Sequence, residues 1–162
     1  MTTRNVKLVS LTVLARRRKS WRRAGKTVVF TNGIFDILHR GHVEYLAHAR
    51  RLGDILIVGL NSDSSARKLK GPSRPINRFA DRAAVLAGLA AVDHIVRFDD
   101  PTPINLIVAL QPDVLVKGAQ YARRDIVGAK EVEYWGGRVV RVPMRKGYST
   151  THLLHHVISS HK

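Results

Sequence analysis

Two histidines, His39 and His42, lie three residues apart in the segment Thr31-Asn32-Gly33-Ile34-Phe35-Asp36-Ile37-Leu38-His39-Arg40-Gly41-His42. Imidazoles at that spacing across a bend can face one set of oxyanions and donate hydrogen bonds to it, stabilising charge that develops on a phosphoryl group under attack. Gly33 and Gly41 let backbone N–H groups approach such a ligand, and a helix beginning near Gly41 adds unsatisfied N–H donors and the positive end of its dipole. The chemistry this favours is anion binding. A metal centre is the competing chemistry, but two histidines with no third Cys or His nearby make a poor zinc set. A capping histidine and a solvent-facing one beside a turn would explain a bare His-x-Gly-His; Gly33, Phe35 and Asp36 upstream weigh against that plainer account.

The elements that must hold this segment read as apolar runs separated by helical patterns. Residues 27–31, 55–60, 94–98, 113–117 and 138–142 have the composition of buried strands. Helical stretches are expected over about 42–51, 78–90, 103–110, 130–135 and 149–158; a surface lysine in a loop is the plainer alternative for Lys70. Strands alternating with helices predict an α/β fold: a doubly wound, Rossmann-like, five-stranded parallel sheet flanked by helices, in a single domain. Such sheets bind ligands at the carboxyl ends of their strands, and the histidine segment leaves the first strand at that end.

The chain has 162 residues, room for one core, and no apolar run that approaches a membrane span or a secretory signal. It has no cysteine, so thiolate catalysis and Cys-based zinc sites are excluded. Twenty-eight Lys and Arg against twelve Asp and Glu give a net charge of +16, which favours anionic partners. No acidic residue precedes Asp36, and residues 10–24 form a basic amphipathic pattern in which Leu11, Leu14 and Trp21 face inward and the Arg/Lys cluster faces water. A nucleic-acid or membrane-surface patch and an organelle-targeting peptide remain alternatives for this stretch, although no zinc-finger, RRM or KH signature accompanies it. Residues 1–25 are accordingly expected to be a basic helical extension, and residues 26–162 the functional domain.

Gly33-x-Phe35-Asp36-x-x-His39-x-Gly41-His42 resembles the signature of the nucleotidyltransferase superfamily of cytidylyltransferases and pantetheine-phosphate adenylyltransferase, and Ser149-Thr150-Thr151 resembles its second signature. Asn61-Ser62-Asp63, the run 67–77, Asp81-Arg82 and the run 112–118 are similar to the heptose 1-phosphate adenylyltransferases, over about residues 25–158. Those enzymes occur alone or as the C-terminal half of a bifunctional kinase/adenylyltransferase, and the length here implies the stand-alone form. The sequence departs from the family at Ile34, Gln120 and Tyr148.

The resemblance implies transfer of AMP from ATP to D-glycero-β-D-manno-heptose 1-phosphate, giving ADP-heptose and pyrophosphate for lipopolysaccharide or another surface glycan. It implies catalytic roles for His39, His42 and Lys70. Nucleotide contacts would come from Gly33, Ile34, Phe35, Gly41, Lys117, Gly118, Ser149, Thr150 and Thr151, and substrate contacts from Asp36, Asp63, Arg74 and Arg82. Asp36 has bracing of the turn as an alternative, and Arg82 a plain surface position. Mg²⁺ is expected to arrive with ATP, whose triphosphate carries about four negative charges, and no dedicated metal ligands are expected. Small-molecule substrates, no specific nucleic acid, a homodimer and a cytoplasmic location complete the expectation. A cytidylyltransferase using glycerol 3-phosphate or another small phosphorylated acceptor, and a basic nucleic-acid-binding module, are the competing functions.

Overall fold

In the computed structural model, residues 6–144, 147 and 150–159 are described, without the side chains of Thr151, His152 and His155. The chain runs α1 (Leu11–Arg23), β1 (Val28–Gly33), α2 (Arg40–Arg50), β2 (Ile55–Asn61), α3 (Asp63–Lys70), α4 (Phe79–Ala87), β3 (His94–Phe98) and α5 (Ile104–Leu110). It continues through β4 (Val114–Gly118), a 3₁₀ turn (Arg123–Asp125), α6 (Ala129–Tyr134), β5 (Arg138–Val142) and α7 (Thr150–Ser159). The strands form one parallel sheet of order β3-β2-β1-β4-β5. Five parallel strands with helical crossovers are what the alternating apolar runs predict.

Strand residues alternate between two buried layers, as a pleated strand with both faces covered requires. Val29, Leu56, Val58 and Leu60 pack with Leu46 and Ala49 of α2 and with Ala83 and Leu86 of α4. On the other face Val28, Phe30, Ile57 and Leu115 pack with Leu14 of α1, Leu106, Ile107 and Leu110 of α5, and Val132 of α6. The chain winds outward from β1 to β3, then returns to add β4 and β5 on the other side, so its direction reverses between β1 and β4. These strands pair only at Val29↔Val114 and Phe30↔Leu115. Beyond that pair β1 continues beside β2 to Gly33↔Leu60, and β4 beside β5 to Gly118↔Val142. The sheet thus opens at a topological switch point, the place where a ligand crevice forms.

Two expectations are corrected. The first concerns Arg18 of α1, whose neighbours Leu11, Leu14 and Trp21 pack inward as their spacing predicts. Leu14 is completely buried, Leu8 bridges Ile95 at the β3 edge, and Val9 N–H and Ile95 N–H complete backbone bonds of 3.0 and 2.8 Å there. Arg18, at helical spacing with Leu11, Leu14 and Trp21 but counted by its charge with the water-facing cluster, is buried. Its Nη2 pairs with Asp113 at 2.8 Å, and it donates to the carbonyls of Leu110 and Gln111 that end α5. A cation at a helix C-terminus satisfies orphan carbonyls and the negative end of the dipole together.

The second correction is α3, unrecognised in the sequence because it buries only Ser65 and Ala66 and has no apolar stripe. Its definition is local: Ser62 caps it by accepting from Ser65 N–H at 3.2 Å, and Asp63 complements its positive end. Gly71, at φ 96°, ends it in a conformation that disfavours a side chain. Lys70 therefore belongs to the last turn of a helix rather than to a loop.

Candidate active site

The segment after β1 is shaped by one aromatic ring. Phe35 takes a left-handed backbone conformation, φ 47°, that turns the chain out of the strand and leaves its ring 7% exposed. A Cβ on Gly33 would lie 2.9 Å from that ring, so glycine is required where the two pack. The opposite edge of the aromatic cluster is His42, at 5.2 Å between ring centroids. His39 precedes the first residue of α2 and His42 lies in its first turn. Their rings stack at 3.8 Å, inclined by 24°.

Burial, reinforced by neighbouring His39, pushes the His42 imidazole down to about 4, and burial also lowers His39. His42 is thus neutral near pH 7, able to donate one N–H and accept at its other nitrogen. Its Nδ1 and the Oδ1 of Asn32 are buried without a hydrogen-bond partner among the described residues. Unpartnered polar atoms at the bottom of a crevice are groups that a polar ligand would satisfy.

A cavity of about 790 Å³ opens above these rings. Asn32, Gly33, Ile34 and Phe35 line it from β1, His39 and His42 from α2, Lys70 and Arg74 from the α3 exit, Lys117 from β4, and Thr150 from α7. Lys117 donates to the Asn32 carbonyl at 3.4 Å, and its burial lowers the ammonium to about 8. Thr150 Oγ1 donates to Ile37 O at 3.4 Å, which brings the start of α7 against the histidine segment. Imidazoles from one end of the chain and a helix-start hydroxyl from the other therefore face one space. Cations, imidazoles and hydroxyls around an open crevice suit a ligand with several phosphoryl oxygens.

Other expected residues have structural employment. Asp36 lines the cavity, but its carboxylate accepts from Ile76 N–H and Asn77 N–H, each at 2.9 Å, and from Arg74 at 3.1 Å. Burial alone would raise it; these donors outweigh burial and hold it below the ordinary carboxylate value. The bracing alternative describes this arrangement. Arg82 is neither a surface residue nor a lining residue of the cavity. Its fully buried side chain donates to Asn77 O at 3.0 Å, Ile34 O at 2.6 Å and Asp63 at 2.8 Å. Asp63 is held away from the cavity by that pair, because a buried guanidinium needs a counter-charge. Gly41 is buried in the first turn of α2, and Gly118 borders a smaller recess of about 150 Å³ beside Tyr45, Lys117 and Tyr121. Ser149, Tyr148 and the side chain of Thr151 lie outside the described residues.

Sequence reasoning passed over Asn32, Asn61, Leu69, Tyr121 and Met144, all of which line the cavity. A signal existed for two of them. Asn32 is next to last in β1 and Asn61 is the last residue of β2, polar positions near the ends of largely apolar strands.

Among the described residues no group of three or more His, Asp or Glu side chains is placed to hold a metal ion, and Asp36 is already saturated by donors. The described residues by themselves do not make up a protein-ligated metal site.

Compared with known proteins, residues 30–161 match the cytidylyltransferase-like family. The chain is 52% identical over 141 residues to the bifunctional protein HldE of Syntrophotalea carbinolica, covering 87% of this chain and 29% of that protein. It is 48% identical over 153 residues to the HldE of Methylobacillus flagellatus, covering 94% and 31%. The chain thus spans about three tenths of the length of these curated relatives. Among solved structures, a lipopolysaccharide core biosynthesis protein from Thermoplasma volcanium superposes with a TM-score of 0.65 at 28% identity, covering 75% of this chain and all of that one.

Proposed function

Because the chain belongs to the cytidylyltransferase-like family, we propose that it transfers AMP from ATP to D-glycero-β-D-manno-heptose 1-phosphate, forming ADP-heptose and pyrophosphate for a surface glycan. The carrying observation is the single cavity in which His39, His42, Lys70, Lys117 and Thr150 meet. The family's nucleotidyl-transfer chemistry, the identity of about half of the aligned residues to HldE proteins and the likeness to a lipopolysaccharide core biosynthesis protein support the acceptor. A cytoplasmic location accords with this substrate pair.

The reaction is an in-line attack by a phosphate oxygen of the sugar 1-phosphate on the α-phosphorus of ATP. An O–P bond forms as the bond to pyrophosphate breaks, and no covalent enzyme intermediate is needed. Catalysis then consists of positioning and charge stabilisation. His42 donates to the α-phosphate and His39 to the neighbouring phosphates. Lys70 neutralises charge shared by the α-phosphate and the attacking phosphate. Thr150 and the N-terminal N–H groups of α7 hold the departing pyrophosphate. Lys117, with its lowered pKa, is held as a cation by an arriving polyanion. Mg²⁺ arriving with ATP would supply charge neutralisation on the phosphates that His39, His42 and Lys70 face.

Incubating the protein with ATP or CTP and with heptose 1-phosphate or glycerol 3-phosphate, in Mg²⁺, and measuring pyrophosphate tests the proposal. Release is expected with ATP and heptose 1-phosphate. Turnover confined to CTP or to glycerol 3-phosphate would overturn it.

A further inference from the structure

Where the sheet opens, a side chain from α2 spans the gap below the Lys117–Asn32 bond. Tyr45, on α2, is 6% exposed. Its hydroxyl donates to the Val116 carbonyl of β4 at 3.1 Å and lies 2.8 Å from Thr31 Oγ1 of β1. Since the Tyr45 proton goes to Val116, Thr31 is the donor in the second bond. Thr31 and Val116 are each the next residue after the last β1/β4 ladder pair, Phe30↔Leu115. The phenol therefore clasps the two strands just where their own hydrogen bonding ends. One residue further on, the strands supply Asn32 and Lys117 to the lining of the cavity.

Tyr45 also follows His42 by one helical turn, so the two side chains project from the same face of α2. A hydroxyl anchored to both strands fixes the rotation and depth of that helix, and with them the place of the imidazole. A phenylalanine would fill the same apolar space without the anchor, so packing alone does not account for the oxygen.

We propose that Tyr45 is a positioning residue for nucleotidyl transfer, its hydroxyl locking α2 onto the open end of the sheet so that His42 stays aimed into the cavity. The inference rests on the transfer reaction proposed above, and its test includes a readout independent of turnover. Tyr45→Phe is expected to lower kcat about tenfold while the KM for ATP changes less than about twofold. In a His42→Asn background the same change is expected to have no further effect on the residual single-turnover rate, because residues acting as a unit are non-additive. By ring NMR, the His42 titration midpoint should move up by about one unit in Tyr45→Phe as water reaches the imidazole.

An unchanged kcat, or an equal loss with and without His42, would overturn the proposal even if the melting temperature fell. Should the parent protein release no pyrophosphate from any nucleotide, the functional reading fails and the His42 titration alone decides the positioning role. An unmoved midpoint then rejects it. If Tyr45→Phe does not fold, Thr31→Val removes the other half of the clasp and is held to the same outcomes, with a smaller loss expected.

Discussion

His42 is useful as a hydrogen-bond donor because its surroundings keep it neutral until an anion arrives. Burial and the neighbouring His39 lower it from the ordinary 6.5 to about 4, so the unfolded chain takes up this proton before the folded one does. Stability is therefore highest above about pH 6.5 and declines as the pH falls toward 4, where the folded site also becomes protonated. Thermal melts across that range are expected to show the decline, and His42→Asn, which cannot titrate, is expected to flatten it. An equally steep decline in the variant would place the titration elsewhere. His39, His42, Gly33 and Phe35 were legible in the sequence because glycine, aromatic and imidazole at fixed offsets encode a turn and a donor pair. Asn32 and Asn61 left only the faint signal of a polar residue near a strand end, and Tyr45 none, since the bonds of its hydroxyl to Thr31 and Val116 exist only once the strands meet.

At the scale of elements, the cavity floor and its rim are joined by two buried charges. Arg82 ties the segment after β1 through Ile34 O, the start of α3 through Asp63, and the loop before α4 through Asn77 O. Asp36 ties the same loop from the other side. Lys70 and Arg74 are thereby carried on a short helix and loop clamped to the sheet rather than on a free surface segment. Arg82→Met is expected to destabilise the fold by about 2–3 kcal/mol, mostly by leaving Asp63 and two carbonyls without their donor. Chemical denaturation measures this, and a loss below about 0.5 kcal/mol would show that the clamp is dispensable. The five strands could be read from apolar runs, since buried parallel strands depend on composition that is visible locally. The α3 helix could not, because its marks are a serine cap, an acidic first turn and a closing glycine rather than an apolar stripe. Arg82 was equally opaque, since a guanidinium's burial depends on partners distant in sequence.

Over the whole molecule, the net charge of +16 divides into two kinds. Arg18 is structural, while Arg16, Arg17, Lys19, Arg22 and Arg23 of the same helix are exposed. Removing the residues before Gly25 therefore does not separate an enzyme from a nucleic-acid-binding module, because it strips Leu14 from the core and Arg18 from Asp113. Such a deletion is expected to aggregate or unfold. Changing Arg16, Arg17, Lys19 and Arg23 to Gln separates the two functions: turnover should stay within about twofold while salt-sensitive association with nucleic acid falls. Loss of turnover in a folded variant would give the basic face a catalytic part. The central claim is that a stacked imidazole pair and the start of α7 act on one polyanion. It is tested most directly by pyrophosphate release from His42→Asn at saturating Mg-ATP and acceptor. A fall of about 10²-fold or more with an intact fold is the expected result; turnover equal to that of the parent protein would contradict the account.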